Sequence, residues 1–93
     1  MKPDLLTVRH KDGFRQTFSG RDAWTLRRLI GAGQTGVTTI DHPAPRWSHY
    51  VFRLRKAGLV ITTDYEAHTG DYPGTHGRYR LQTPLRIEME KAA

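Results

Sequence analysis

The chain has 93 residues, no cysteine and a formal net charge of +6 at pH 7. This length suits one compact domain, and the lack of cysteine excludes disulfide bridges and thiolate metal sites. The basic balance favours a polyanion, either nucleic acid or an anionic membrane face, as the partner. No apolar run reaches the ~20 residues that cross a bilayer, and no apolar signal region follows the start, so we expect a cytoplasmic protein without a membrane partner.

The first predicted element is a β-hairpin over residues 5–18. Segments 5–9 and 14–18 alternate weakly between apolar and polar residues, and residues 11–13 (KDG) between them are typical of a turn. A helix is predicted next, with Ser19 as its N-cap and Asp22 completing a capping box. Glycines at 31 and 33 favour its end there. Its apolar residues recur at helical spacing: Ala23, Leu26, Leu29 and Ile30.

The connection to the next helix contains turns and prolines. Residues 37–41 (VTTID) favour either a single helical turn or a small strand. Pro43 and Pro45 exclude a helix interior, and Pro45 suits the first position of a helix. The following helix is predicted over residues 45–57 and ends before Gly58. Its inward arc consists of Trp47, Tyr50, Val51 and Leu54.

The end of the chain predicts a long hairpin. Residues 59–63 (LVITT) and 78–82 (RYRLQ) favour two strands, and residues 72–75 (YPGT) suit a type II turn between them. From residue 84 we expect a short tail, in which residues 85–88 could form one more strand before a frayed end. The single domain therefore divides into an N-terminal hairpin at 5–18, helices at 20–57, a wing at 59–83 and a tail at 84–93.

Charge and pattern coincide in one segment. Residues 42–63 contain four Lys or Arg and no acidic residue. The order of helix, short element, sharp turn, helix and long hairpin is the plan of a winged helix-turn-helix, an α+β fold with two to three helices. A major groove about 12 Å wide admits one helix with a cationic outer face. We therefore expect the chain to bind double-stranded DNA.

The predicted DNA contacts follow from this arrangement. Arg46, Ser48 and His49 lie in the first turn of the second helix, where such proteins touch bases. Arg53 and Lys56 are predicted to contact phosphates, which position the protein without reading sequence. Arg78 and Arg80 point outward from the wing strand, where Arg78 is expected to reach the DNA backbone or minor groove. Phe52 lies beside the cationic stripe and could touch thymine methyl groups, pack within the domain or enter a partner chain.

The pattern resembles a known family. Residues 54–61 (LRKAGLVI), followed by a loop and residues 78–81 (RYRL), are similar to the short winged helix-turn-helix domains of phages, prophages and bacterial mobile elements. The shared features are a leucine-arginine pair, a glycine after the recognition helix and a tyrosine-leucine wing strand. The resemblance spans roughly residues 20–83 and implies DNA binding, often in transcriptional control. The entry at 42–45 (HPAP) departs from the more regular second helix of that family.

The sequence also bears on two other function classes. An enzyme is not expected, because the sequence contains no phosphate loop, nucleophile elbow or metalloprotease motif. His68 and His76 could face each other across the wing, but two histidines without a third ligand are weak for zinc, so no metal or cofactor is expected. The alternative is a protein-docking module that uses Phe14, Phe18 and Trp24 as an apolar patch. A homodimer or another protein partner stays open beside DNA.

Overall fold

The computed structural model describes residues 4–42, 44, 46–70 and 74–91. Within these ranges the chain forms two α-helices and two three-stranded antiparallel sheets, ordered β2-β1-β6 and β3-β5-β4. The elements in chain order are β1 (Leu5–His10), β2 (Arg15–Ser19), α1 (Gly20–Ala32), a 3-10 turn (Gly33–Thr35), β3 (Val37–Thr38), α2 (Trp47–Lys56), β4 (Ile61–His68), β5 (Gly74–Leu81) and β6 (Leu85–Lys91). The predicted α+β class is confirmed. Neither helix of the described part combines the length and apolarity that crossing a membrane requires.

The C-terminal segment forms a strand that includes the optional one at 85–88 and extends to Lys91, so the frayed end expected directly after residue 88 is wrong. β6 pairs with β1 along its length, from Leu5 opposite Lys91 to His10 opposite Leu85. A register shift in this ladder interrupts the two-residue alternation that marks a strand in a sequence. Glu88 lies at the shift and binds both Arg9 and Arg15. Glu88 is therefore an ion-pair partner within the first sheet and not part of a frayed end.

Both ends of α1 lie where the sequence predicts them. Ser19 is the N-cap with an extended backbone, and Gly33 caps the other end with φ 55°. The predicted capping box is wrong, because Ser19 makes no side-chain cap bond and the Asp22 carboxylate instead binds Arg53 of α2.

α2 is shorter than the predicted helix over 45–57. Arg46 has φ 67° and ψ 29°, a left-handed conformation, so the helix begins at Trp47 and ends at Lys56. The predicted role of Pro45 as the first helical residue lies outside the described residues.

Residues 37–38 form a strand, which decides between the two predicted alternatives. β3 pairs with β5, with Val37 opposite Tyr79. The wing strands are displaced and longer than predicted, since β4 runs from Ile61 to His68 and β5 begins at Gly74. Polar and charged residues of the expected loop therefore lie in the β4–β5 ladder, and the predicted type II turn falls partly outside the described residues.

One core joins both sheets and both helices. The Trp47 ring links them, with its centroid 5.5 Å from that of Trp24 on α1 and 6.4 Å from that of Tyr79 on β5. Its indole Nε1 donates a hydrogen bond to the His42 carbonyl at 2.7 Å, so the buried polar atom is satisfied. The buried apolar residues are Leu6, Val8, Phe18, Ala23, Leu26, Leu29, Val37, Trp47, Val51, Leu54, Leu59 and Ile61.

Candidate nucleic-acid interface

α2 has one apolar and one polar face. Trp47, Val51 and Leu54 are buried and Tyr50 is half-buried, so the inward arc predicted from the spacing is confirmed. No acidic residue occurs anywhere in this helix. The exposed residues on and beside α2 are Arg46, Ser48, His49, Phe52, Arg53, Arg55 and Lys56.

Arg46 precedes the first turn of α2, whereas the sequence predicts it inside that turn. Its carbonyl accepts hydrogen bonds from the backbone N–H groups of His49 and Tyr50 at 3.1 and 3.2 Å, which begins the helix. Its side chain is exposed and has no hydrogen-bond or ion-pair partner among the described residues. Arg46 is therefore a cation at the N-terminal edge of α2, beside the exposed Ser48 and His49.

Arg53 joins the two helices. Its Nε and Nη2 each donate a hydrogen bond of 2.9 Å to the Asp22 carboxylate, a two-point contact. These bonds are the main cause that raises the pKa of Arg53, with charge attraction to Asp22 second. The Arg53 side chain is still 54% exposed. Its phosphate contact stays a prediction, and the Asp22 carboxylate would compete with the phosphate for the guanidinium.

Arg55 and Lys56, although adjacent, have different surroundings. The Arg55 guanidinium donates to the Ile61 carbonyl and to the Thr63 hydroxyl, which ties α2 to β4. The Lys56 ammonium lies 5.3 Å from the centre of the Phe52 ring and has no ion-pair partner among the described residues. Of this pair, Lys56 is the one without a competing hydrogen-bond partner among the described residues, and its phosphate contact stays a prediction.

The wing arginines alternate along β5 with Tyr79 and Leu81, which pack against the core as predicted, but both arginines are half-buried. Arg78 donates to the Glu66 carboxylate at 2.7 Å and to the Thr35 carbonyl at 2.9 Å. Arg80 pairs with Asp64 and donates to the Gln34 carbonyl at 2.8 Å. Both side chains therefore connect β5 to β4 and to the 3-10 turn through hydrogen bonds. DNA contact by Arg78 or Arg80 remains a prediction, because each guanidinium would first have to leave its carboxylate and carbonyl partners.

A polar network occupies the same face of the wing. The Nδ1 atoms of His68 and His76 lie 2.9 Å apart, so the two rings do face each other across the hairpin as predicted. His76 also lies 3.0 Å from the Glu66 carboxylate through Nε2. Hydrogen bonds from Arg78 first and His76 second lower the pKa of Glu66 to about 2. The described residues contain no group of three or more side chains placed to hold a metal ion.

Arg21 extends the surface at the start of α2, and the sequence did not identify it. Its guanidinium lies 4.2 Å from the ring centre of Trp24 and 5.9 Å from that of Tyr50. With His49 and other residues it lines a surface hollow of about 300 Å³ between the helices. The sequence signal that Arg21 lies on the surface is its position off the apolar stripe of α1. Only the packing of α1 against α2 shows which neighbours it has.

The three aromatic residues considered for docking do not form a shared patch. Phe18 is buried in the core, and Trp24 is half-buried with the Arg21 and Arg28 guanidinium groups over its ring. Phe14 is 58% exposed at the turn between β1 and β2. The docking interpretation therefore loses the residues on which it depended.

The order α1, β3, α2, β4, β5, with a basic helix face beside a β-hairpin, defines a winged helix protein. The chain belongs to the winged helix domain family, which matches residues 15–91. The match includes both helices, the wing and most of the first sheet. Winged helix domains commonly bind DNA. Comparisons with curated proteins and with solved structures find no significant match.

Proposed function

We propose that the chain binds duplex DNA in a sequence-dependent manner through the outward face of α2, and that it catalyses no reaction. The observation that carries this proposal is the set of cations on a helix that has no acidic residue. Arg46 and Lys56 have no carboxylate partner among the described residues, whereas the wing arginines Arg78 and Arg80 each bind one. Free cations of this kind bind phosphate and release counterions, which supplies most of the affinity for a polyanion.

The two ends of α2 take different roles in this proposal. Arg46, Ser48 and His49 cluster at the N-terminal end, where a helix entering the major groove presents side chains to base edges. Lys56 near the other end, and Arg53 where it leaves Asp22, contact phosphates. Arg21 adds a phosphate contact from α1, because it lies against Tyr50 at the same end as His49.

The biological role extends this proposal. The resemblance of residues 54–61 and 78–81 to domains of phages and bacterial mobile elements supports transcriptional control in such a setting. The protein then acts in the cytoplasm, where that DNA lies. The fold contributes a rigid placement of α2 and no reaction chemistry of its own.

The experiment is a selection of bound duplexes from a random library, followed by titration of the preferred duplex at several salt concentrations. Log affinity is expected to fall linearly with log salt, with a slope of about −0.9 for each phosphate neutralised. A slope near zero, or no binding at low salt, would contradict the proposal and favour a protein-docking module.

Arg46→Gly tests base reading within the same experiment. Because Arg46 has φ 67°, glycine fits this backbone better than alanine does and removes the side chain without strain. Affinity for the preferred duplex should fall by roughly 1–3 kcal/mol, with relaxed preference at one position. An equal loss on preferred and random duplexes would show that Arg46 contacts only phosphate.

A further inference from the structure

Phe52 lies on the outward face of α2, beside the stripe of basic residues. At about 100° per residue it lies close to His49 and Lys56 in projection and nearly opposite the buried Leu54. Its side chain is 56% exposed, and it belongs neither to the core nor to the partly buried residues packed against the core in the described part of the chain. The sequence left three roles open for this ring, and packing within the domain is wrong.

The surroundings of the ring define what it can meet. The Lys56 ammonium lies 5.3 Å from its centre, and the exposed His49 precedes it by three residues. A single exposed apolar residue is ordinary on a protein surface, so exposure alone decides nothing. Its position beside Lys56, on a helix without acidic residues, favours a polyanion that presents an apolar group to the ring. Duplex DNA has such a group in the major groove, the C5-methyl of thymine.

We propose that Phe52 contacts the 5-methyl group of a pyrimidine, either thymine or 5-methylcytosine, when α2 lies in the major groove. This inference rests on the proposed DNA binding and adds the chemical group that is read. The methyl group is the apolar feature of the pyrimidine edge, and it lies beside base atoms that accept or donate hydrogen bonds. Phe52 therefore supplies a preference that Arg46, Ser48 and His49 cannot supply through hydrogen bonds.

The test removes single methyl groups from the selected duplex. Each thymine is replaced in turn by deoxyuridine, which keeps every hydrogen-bonding group and lacks only the methyl. If the preferred base is cytosine, 5-methylcytosine is introduced instead, and this arm separates the two sources of the methyl. The wild-type protein should lose about fourfold in affinity at one thymine, or gain about fourfold at one methylated cytosine, the value expected for burial of one methyl group.

Phe52→Ala should bind the unmodified duplex several-fold more weakly and respond to neither methyl change. Phe52→Leu, which keeps an apolar side chain, should retain part of the response. Phe14→Ala is the matched control, because Phe14 carries the same ring at 58% exposure on the first hairpin and should leave affinity unchanged. Thermal melts of the three variants check that each one is folded.

The results distinguish failure of the proposed methyl contact from failure of the proposed DNA binding. If the protein binds DNA but no methyl change alters its affinity, the inference is wrong and DNA binding stands. If Phe52→Ala binds more weakly yet keeps the response to methyl groups, another residue reads them and the inference is again wrong. If no duplex binds at low salt, the proposed function fails together with the inference.

Discussion

The outward face of α2 and the wing both contain basic residues, but the fold gives these residues different partners. On the wing, Arg78 and Arg80 each bind a carboxylate of β4 and a carbonyl of the 3-10 turn. At α2, Arg46 and Lys56 bind no carboxylate within the described residues. A basic residue in the sequence therefore indicates a polyanion site only where the fold places no acidic residue opposite it.

The strand pairing explains this difference. Asp64 lies opposite Arg78 in the β4–β5 ladder, and Glu66 lies opposite His76. Each wing arginine reaches the acidic residue diagonal to its own position, a distance that long side chains span easily. An isolated helix face has no such neighbouring strand. Asp22 of α1 is the acidic residue that does reach α2, and it binds Arg53.

The largest expected effect separates the inner from the outer face of α2. Leu54 is fully buried, so Leu54→Ala should cost about 2–5 kcal/mol of unfolding free energy and leave the domain largely unfolded. His49→Ala removes an exposed ring and should stay within about 0.5 kcal/mol, with its effect on DNA binding instead. Thermal melts and binding curves for both variants give the measurement. Unfolding by His49→Ala with Leu54→Ala intact would show that α2 is oriented the other way.

The next effect concerns how the wing is anchored. Gly36 has φ 77°, and a Cβ there would lie 2.7 Å from the Tyr79 carbonyl oxygen and 2.8 Å from Cγ of Arg80. Gly36→Ala should therefore destabilise the fold by more than the roughly 1–3 kcal/mol that such a backbone conformation costs alone. Gly33→Ala is the matched control, since Gly33 also has a positive φ but an open site. Equal melting temperatures for the two variants would contradict close packing of β5 on the turn.

The sequence predicts the local elements of this fold better than its pairings. The apolar spacing of α2 identified the buried Trp47, Val51 and Leu54, because a helix buries one face wherever it packs. The pairing of β6 with β1 joins residues some 80 positions apart and includes a register shift, so no local pattern contains it. The ion pair between Asp22 and Arg53 and the position of Arg21 depend in the same way on how α1 meets α2.

Variants of Lys56 and Arg80 test whether an unpaired cation of α2 and a paired arginine of the wing contribute differently to DNA binding. Lys56→Ala should weaken binding to all duplexes alike and reduce the salt slope by about one. Arg80→Ala should leave the salt slope unchanged, because its guanidinium is already paired with Asp64 and the Gln34 carbonyl. Salt titrations of both variants on one duplex give the answer. A lower slope for Arg80→Ala would show that the wing arginine exchanges its carboxylate for phosphate, as the sequence predicts.

The smallest expected effect lies in the pH dependence of the wing. The pKa of Glu66 falls from 4.5 to about 2 in the folded chain, chiefly through the hydrogen bond from Arg78. A carboxyl group whose pKa is lowered by folding stabilises the folded state above its unfolded pKa. That stabilisation should be lost as pH falls from about 4.5 towards 2.

Glu66→Gln isolates this contribution from the other carboxylates, which also titrate in acid. The melting temperature of the wild type should exceed that of Glu66→Gln at pH 7, and the difference should shrink through the acid range and vanish near pH 2. Because the side chain is exposed to solvent, the difference should be modest and should decrease in high salt. A difference that does not vary with pH would mean that Glu66 acts by packing rather than by its charge. Arg78 would then be held mainly by the Thr35 carbonyl, and its pairing with Glu66 would no longer distinguish it from the unpaired cations of α2.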